Sequence, residues 1–296
     1  MTNERYLLAT CSSGLCNRLL VTAGCRRIAQ KTKRKFLLYW PENDQLHCPF
    51  EDLFTNKFTL LKEEQMDWLL RTERIAKFYN VDPGAGPVFT EVADDGDPGA
   101  DLVIIKGWFS PKFASEQSDR QFNRELRAEL QGLEPRSEIL EKVNSIPLPG
   151  TTVGVHMRRG DNPGAYARSK DEHFTAIMER LIVAVPEVVF LLATDDAATE
   201  SRMRGQFGER VLVFPKTSPG RHRQAIQEAL VDLLLLSRTA AILGNHFSSF
   251  SITASRLGPN VLVIAEEQTA RTELSATTAR LAEAVNSRGL VHGAIA

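Results

Sequence analysis

The chain has 296 residues, 43% hydrophobic and 25% charged, with a net charge of -1. Such a composition suits a soluble globular protein of one large or two ordinary domains, and its balanced charge gives no basic excess for binding nucleic acid. The longest apolar runs, LIVAV, VVFLLA and LLLL, fall well short of the roughly 20 residues of a membrane span.

The first residues, MTNERYLLATCSSG, lack an apolar segment after a basic start, so no signal peptide is expected. Tyr6–Thr10 reads as a strand, and the small-residue loop Ser12-Ser13-Gly14 leads into a helical stretch from Leu15 to Lys31. The basic run Lys31, Lys33, Arg34, Lys35 falls where that helix ends, as cations at the negative end of its dipole. Phe36–Trp40 is a second apolar strand, stopped by Pro41, and the turn PFEDLF follows. Cys11, Cys16, Cys25 and Cys48 all lie in this region without a C-x-x-C pair. Reduced, buried thiols are expected, without a metal and in a cytoplasmic protein.

From Val81 to Ala100 the chain is rich in Pro, Gly and Asp and reads as a long loop. Asp101–Lys106 returns to strand, and the charged, periodic stretch Phe122–Val143 reads as helix. SIPLPG, Ser145 to Gly150, is the best linker, so domains are expected over 1–147 and 148–296. The second half alternates strands (152–157, 188–194, 210–214, 240–244, 260–265) with helices (171–184, 196–206, 222–238, 249–257). This is the pattern of an α/β protein with a parallel sheet covered on both faces. No short-period repeat or low-complexity segment interrupts it.

Such sheets bind ligands at the carboxyl ends of their strands, and the unusual polar clusters sit there. YLLAT is followed by Ser13, Gly14, Asn17 and Arg18; TVGVHM by Arg158, Arg159 and Asp161; VVFLLA by Thr194, Asp195 and Asp196. AAILG is followed by Asn245, His246, Phe247, Ser248, Ser249 and Phe250. An arginine forks onto phosphate with two charge-assisted hydrogen bonds. Ser248-Ser249 opens a helix whose free N–H groups suit a phosphate. Asp232, within the apolar helix ALVDLLLLS, needs a partner such as His156 or an arginine, or a base edge.

Each cluster also has a structural reading. The arginine pair with Asp161 can be a surface ion-pair knot. Asp195-Asp196 and Ser248-Ser249 can be helix caps, His156 a satisfied core histidine, and Asp232 an arginine's partner. The Gly14–Arg18 loop lacks a full phosphate-binding glycine motif. The joint placement favours a ligand site.

HMRRGD (His156 to Asp161), ATDD (Ala193 to Asp196), VDLLLLSRTAAILGNHFSSFS (Val231 to Ser251) and GLCNRLL (Gly14 to Leu20) together resemble the fucosyltransferase superfamily. That superfamily spans α1,6-, α1,2- and protein O-fucosyltransferases, and the GN-x-x-SSF portion is most similar to the protein O-fucosyltransferases. PFEDLF also fits, whereas residues 60–145 carry nothing specific.

The resemblance implies two Rossmann-like domains facing across a cleft, the B-type glycosyltransferase architecture. It implies GDP-fucose as donor, a saccharide or other hydroxyl acceptor, inversion at the sugar carbon, and no cofactor or required metal. Arg158 would hold the β-phosphate, beside Arg159. His156 and Asp232 would contact guanine or hold its pocket, and Ser248, Ser249 and Phe250 would cradle the diphosphate. Gly14, Asn17 and Arg18 would approach from the other domain, and Asp195 and Asp196 would shape the nucleotide site. Asp161, Asp171 and Glu172 stand as candidate bases, and Asp161, with Arg158, is taken as catalytic. A transferase for another nucleotide sugar, a non-catalytic nucleotide-sugar-binding protein, and a metal-dependent phosphate-ester hydrolase using Asp195-Asp196 are the rival readings.

Overall fold

The computed structural model describes residues 4–71, 76–81, 91–116, 119–160, 163–217 and 220–293. It comprises two compact units, Met1–Ser137 with Gly220–Gln227, and Glu138–Pro219 with Glu228–Ala296.

The first unit contains β1 (Tyr6–Thr10), α1 (Leu15–Lys31), β2 (Lys35–Tyr39), β3 (Thr59–Leu61), α2 (Glu63–Arg71), β4 (Ala76–Val81), β5 (Leu102–Gly107) and α3 (Asp119–Gln131). Its sheet has the order β3-β2-β1-β5-β4, every pair parallel. Small and apolar residues bury most of α1. Of the basic run after it, Arg34 is buried and gives its guanidinium to the carbonyls of Gly96, Asp97 and Ala100.

The helix expected over 122–143 is two helices, α3 and α4 (Ser137–Asn144). Pro135 lies in the break: it offers no N–H and turns the residue before it away from helical angles. Sequence reasoning also missed β3, α2 and β4. β3 and β4 are short stretches with little periodic signal, and α2 spans only nine residues. Of the expected loop at 81–100, residues 82–90 lie outside the described residues.

The second unit follows α4 with β6 (Thr152–Met157), α5 (Pro163–Arg168), α6 (Asp171–Ala184), β7 (Val189–Thr194), α7 (Ala197–Phe207), β8 (Val211–Leu212), α8 (Arg223–Ser237), β9 (Ala241–Gly244), α9 (Ser249–Leu257), β10 (Val261–Ile264) and α10 (Leu274–Gly293). The first turn of α8 groups with the first unit and its remainder with the second. All pairs in the order β10-β9-β6-β7-β8 are parallel. All six residues of β6 are buried, as a central parallel strand requires. Among the described residues, no helix is long and apolar enough to cross a membrane.

From β6 the chain steps to β7 and β8 on one side, then returns to lay β9 and β10 on the other. The order therefore reverses between β6 and β9. In an open α/β sheet a ligand crevice forms at such a reversal, outside the carboxyl ends of the strands.

Candidate functional site

The register sets His156 beside Ala193 and Met157 beside Thr194. The residues just after β6 therefore meet those just after β7. The Asp195 carboxylate accepts the backbone N–H of Arg159 at 2.7 Å and of Gly160 at 3.1 Å. Asp196 caps α7: one of its oxygens accepts the Thr199 N–H at 2.8 Å and the Thr199 hydroxyl at 2.6 Å. The Thr199 hydrogen bonds hold the Asp196 carboxyl below its ordinary value. The two aspartates thus hold a loop and a helix start.

At the strand-order reversal, the Arg158 N–H donates to Asn245 Oδ1 at 2.8 Å. Asn245 is fully buried, and its Nδ2 has no hydrogen-bond partner among the described residues. Ser248 stands at the N-cap of α9 with its side chain making no cap bond. Its hydroxyl is buried and likewise unpartnered among the described residues. Buried polar groups are normally paired, so a buried hydroxyl and amide left over at a helix N-terminus mark a place for an acceptor from outside the chain.

His156 is buried at the end of β6. Its Nδ1 lies 2.8 Å from Ser251 Oγ, and its ring stacks on Phe250 at 4.8 Å. Burial, with Arg158, Lys216 and Arg159 nearby, pushes its pKa down to about 3, so the ring is neutral. Ser251 comes this close because Gly244 lacks a side chain: a Cβ there would lie 2.5 Å from Ser251 Oγ.

Asp232 is buried on α8 and pairs with Lys216, whose Nζ lies 2.8 Å from Oδ2. Burial raises the acid to about 6 even though Lys216 opposes the shift. Lys216 also donates to the Thr194 carbonyl at 2.6 Å. Neither an arginine nor His156 is the partner, which corrects the pairing expected from sequence. Lys216 lies in an aperiodic, proline-flanked stretch after a two-residue strand, where no sequence signal points to it.

Two of the arginines serve the fold. The Arg159 side chain is 6% exposed, donates Nε–H to Asp171 at 2.8 Å, and carries its guanidinium over the rings of Tyr166 and Phe174. It is packed inward, and its buried Nη2 has no hydrogen-bond partner among the described residues. Asp171, one of the expected bases, holds Arg159 on one oxygen and Arg202 on the other. Glu172 takes an ion pair from Arg271. Arg18 is 1% exposed. It donates to the carbonyls of Ser13 and Pro41 and to Asn43, and burial lowers it to about 10. It ties the loop before α1 to the segment after β2. Gly14 caps α1, and Asn17 has a buried Oδ1 with no partner among the described residues. Asp161 lies outside the described residues.

Together these elements define an α/β protein with two parallel sheets, whose second sheet carries a polar site at the ends of β6, β7 and β9. Solved structures with this fold include fucosyltransferase NodZ from Bradyrhizobium, at 19% identity over 86% of this chain and 94% of that one, TM-score 0.58. A NodZ α1,6-fucosyltransferase crystal soaked with GDP-fucose matches equally, at 19% identity over 86% of this chain and 93% of that one. An Arabidopsis thaliana FUT1 mutant in complex with GDP matches at 16% identity over 88% and 70%, TM-score 0.58. POFUT1 in complex with GDP-fucose matches at 13% over 90% and 98%, TM-score 0.51. No family model matches the chain, and no curated protein does. The fold is thus the one these fucosyltransferases share, the B-type glycosyltransferase architecture.

Proposed function

We propose that the chain is a glycosyltransferase that moves fucose from GDP-fucose to a hydroxyl of a saccharide or small-molecule acceptor, with inversion and without a required metal. The observation that carries this reading is the strand-order reversal in the second unit. There Asn245 pins the loop bearing Arg158 beside the start of α9, where the Ser248 hydroxyl is buried and has no partner among the described residues.

The chemistry follows from what leaves. When the acceptor hydroxyl attacks the sugar carbon, the bond to GDP breaks and negative charge grows on the β-phosphate. A fixed guanidinium and preorganised N–H and O–H donors stabilise that charge. Arg158 would supply the guanidinium, and Ser248, Ser249 and the α9 amides the donors. His156, neutral and stacked on Phe250, would wall the nucleotide pocket, and Asp232 would receive the guanine edge. The carboxylates that a metal-dependent hydrolase would use, Asp195 and Asp196, are engaged by backbone donors, which favours the transferase reading over that rival.

Calorimetric titration with GDP, UDP, ADP and GDP-fucose, in EDTA and then in magnesium, tests the reading. Tight GDP binding that ignores EDTA is expected. Binding that appears only with magnesium, or that prefers another nucleotide, would overturn it.

A further inference from the structure

We infer that Lys216 is a positioning residue for base recognition. By clamping Asp232 as a carboxylate, it selects a nucleobase edge with two N–H donors, that of guanine, over adenine's donor beside an acceptor. This rests on the proposed GDP-sugar reading.

The geometry fixes the lysine from two sides. Its Nζ lies 2.8 Å from Asp232 Oδ2 and donates to the Thr194 carbonyl at 2.6 Å. The next residue, Thr217, gives its hydroxyl to Glu228 at 2.6 Å and its N–H to both Glu228 oxygens at 3.2 and 3.3 Å. Glu228 lies one helical turn before Asp232 on α8. One face of that helix therefore holds both residues of the loop, and the ammonium is anchored against the acid.

The chemistry depends on which form of Asp232 is present. An ionised carboxyl only accepts, and matches the N1–H and the amino group of guanine. A protonated one donates from one oxygen and accepts at the other, which matches adenine. A buried carboxyl left alone protonates. Here burial takes Asp232 up to about 6, Lys216 pulls it down, and Glu228 on the same helix and Glu200 on α7 push it up. His156, at the end of β6, is neutral and supplies no charge. Lys216 is therefore the cation that keeps the acid ionised near neutrality.

The test is titration of the full chain with GDP, ADP and pyrophosphate across about pH 5 to pH 8, for the wild type, Lys216→Gln and Lys216→Arg. In the wild type the GDP Kd should be flat above the Asp232 pKa and rise about tenfold per pH unit below it, since binding requires the ionised acid. In Lys216→Gln that rise should begin near neutrality, and the preference for GDP over ADP at about pH 7 should fall at least about tenfold. Lys216→Arg should restore the wild-type profile.

An unchanged profile and preference in Lys216→Gln would overturn the inference while leaving GDP binding standing. Equal loss for GDP, ADP and pyrophosphate, with no shift in pH profile, would make Lys216 a phosphate contact and overturn it too. Should Lys216→Gln not fold, a wild-type GDP Kd that stays flat on acidification would overturn the inference in its place. A wild type that binds no GDP would overturn the parent reading, and the inference with it.

Discussion

Arg159 donates its Nε–H to Asp171 at 2.8 Å while its own backbone N–H is held by Asp195 at 2.7 Å. The second arginine of the pair is thus bound at both ends within the fold, whereas Arg158 is pinned through its backbone N–H on Asn245. Truncating the two tests different things. Arg158→Ala should abolish transfer. Arg159→Ala should lower stability by about 1.5–3 kcal/mol, the range for a hydrogen bond to a charged group. Urea unfolding of Arg159→Ala and a transfer assay on Arg158→Ala check this, and full transfer activity in Arg158→Ala would sink the site assignment.

Ser248 offers a sharper contrast. Its hydroxyl has no partner among the described residues, so Ser248→Ala removes nothing that holds the protein together. Thermal unfolding should be unchanged, while GDP affinity should fall by about 0.5–1.5 kcal/mol, one hydrogen bond. Ser249→Ala should weaken GDP by a similar amount. Unchanged GDP affinity in both variants would exclude the start of α9 from the donor site.

Gly244→Ala places a methyl group 2.5 Å from Ser251 Oγ, closer than any contact tolerates. The start of α9 must move, and the 2.8 Å contact between Ser251 and His156 goes with it. Overpacking of this kind costs about 1–3 kcal/mol, and GDP binding should weaken along with stability. A variant of wild-type stability and affinity would show that α9 has slack the geometry denies.

His156 makes stability depend on pH. Its pKa falls from 6.5 to about 3 on folding, so between those values the unfolded chain binds more protons than the folded one. Stability should therefore be complete above about pH 6.5 and decline as pH falls toward about 3. Asp232, raised from 3.8 to about 6, acts with the opposite sign between those values and blunts the decline. His156→Gln should flatten the acid side of a plot of Tm against pH. A curve parallel to the wild type would mean that His156 does not titrate this way.

The polar strand ends that make up the candidate site were legible in the chain because the second half is regular. A central parallel strand must be apolar throughout, so the abrupt polarity of Arg158 after Met157, of Asp195 after Thr194 and of Asn245 after Gly244 marks the strand ends. Lys216 was illegible because a strand of two residues has no period, and Thr217 gains its meaning only from Glu228 on α8. Pro135 lies in the break of the helix expected over 122–143, and its meaning was visible in the chain as a residue that disfavours a helix running through it.

Local pattern thus determined the α/β class, the strands of the second sheet and the set of polar residues at their carboxyl ends. It could not say which hydrogen-bond partner each of those side chains takes. Those pairings were decided by tertiary structure. Register brings Asp195 to the arginine loop, α6 brings Asp171 to Arg159, and the return of β9 beside β6 brings Asn245 to the backbone of Arg158. The reason is physical: strand and helix periods are written in near neighbours along the chain, whereas a hydrogen-bond partner is chosen by whatever the fold brings within about 3 Å.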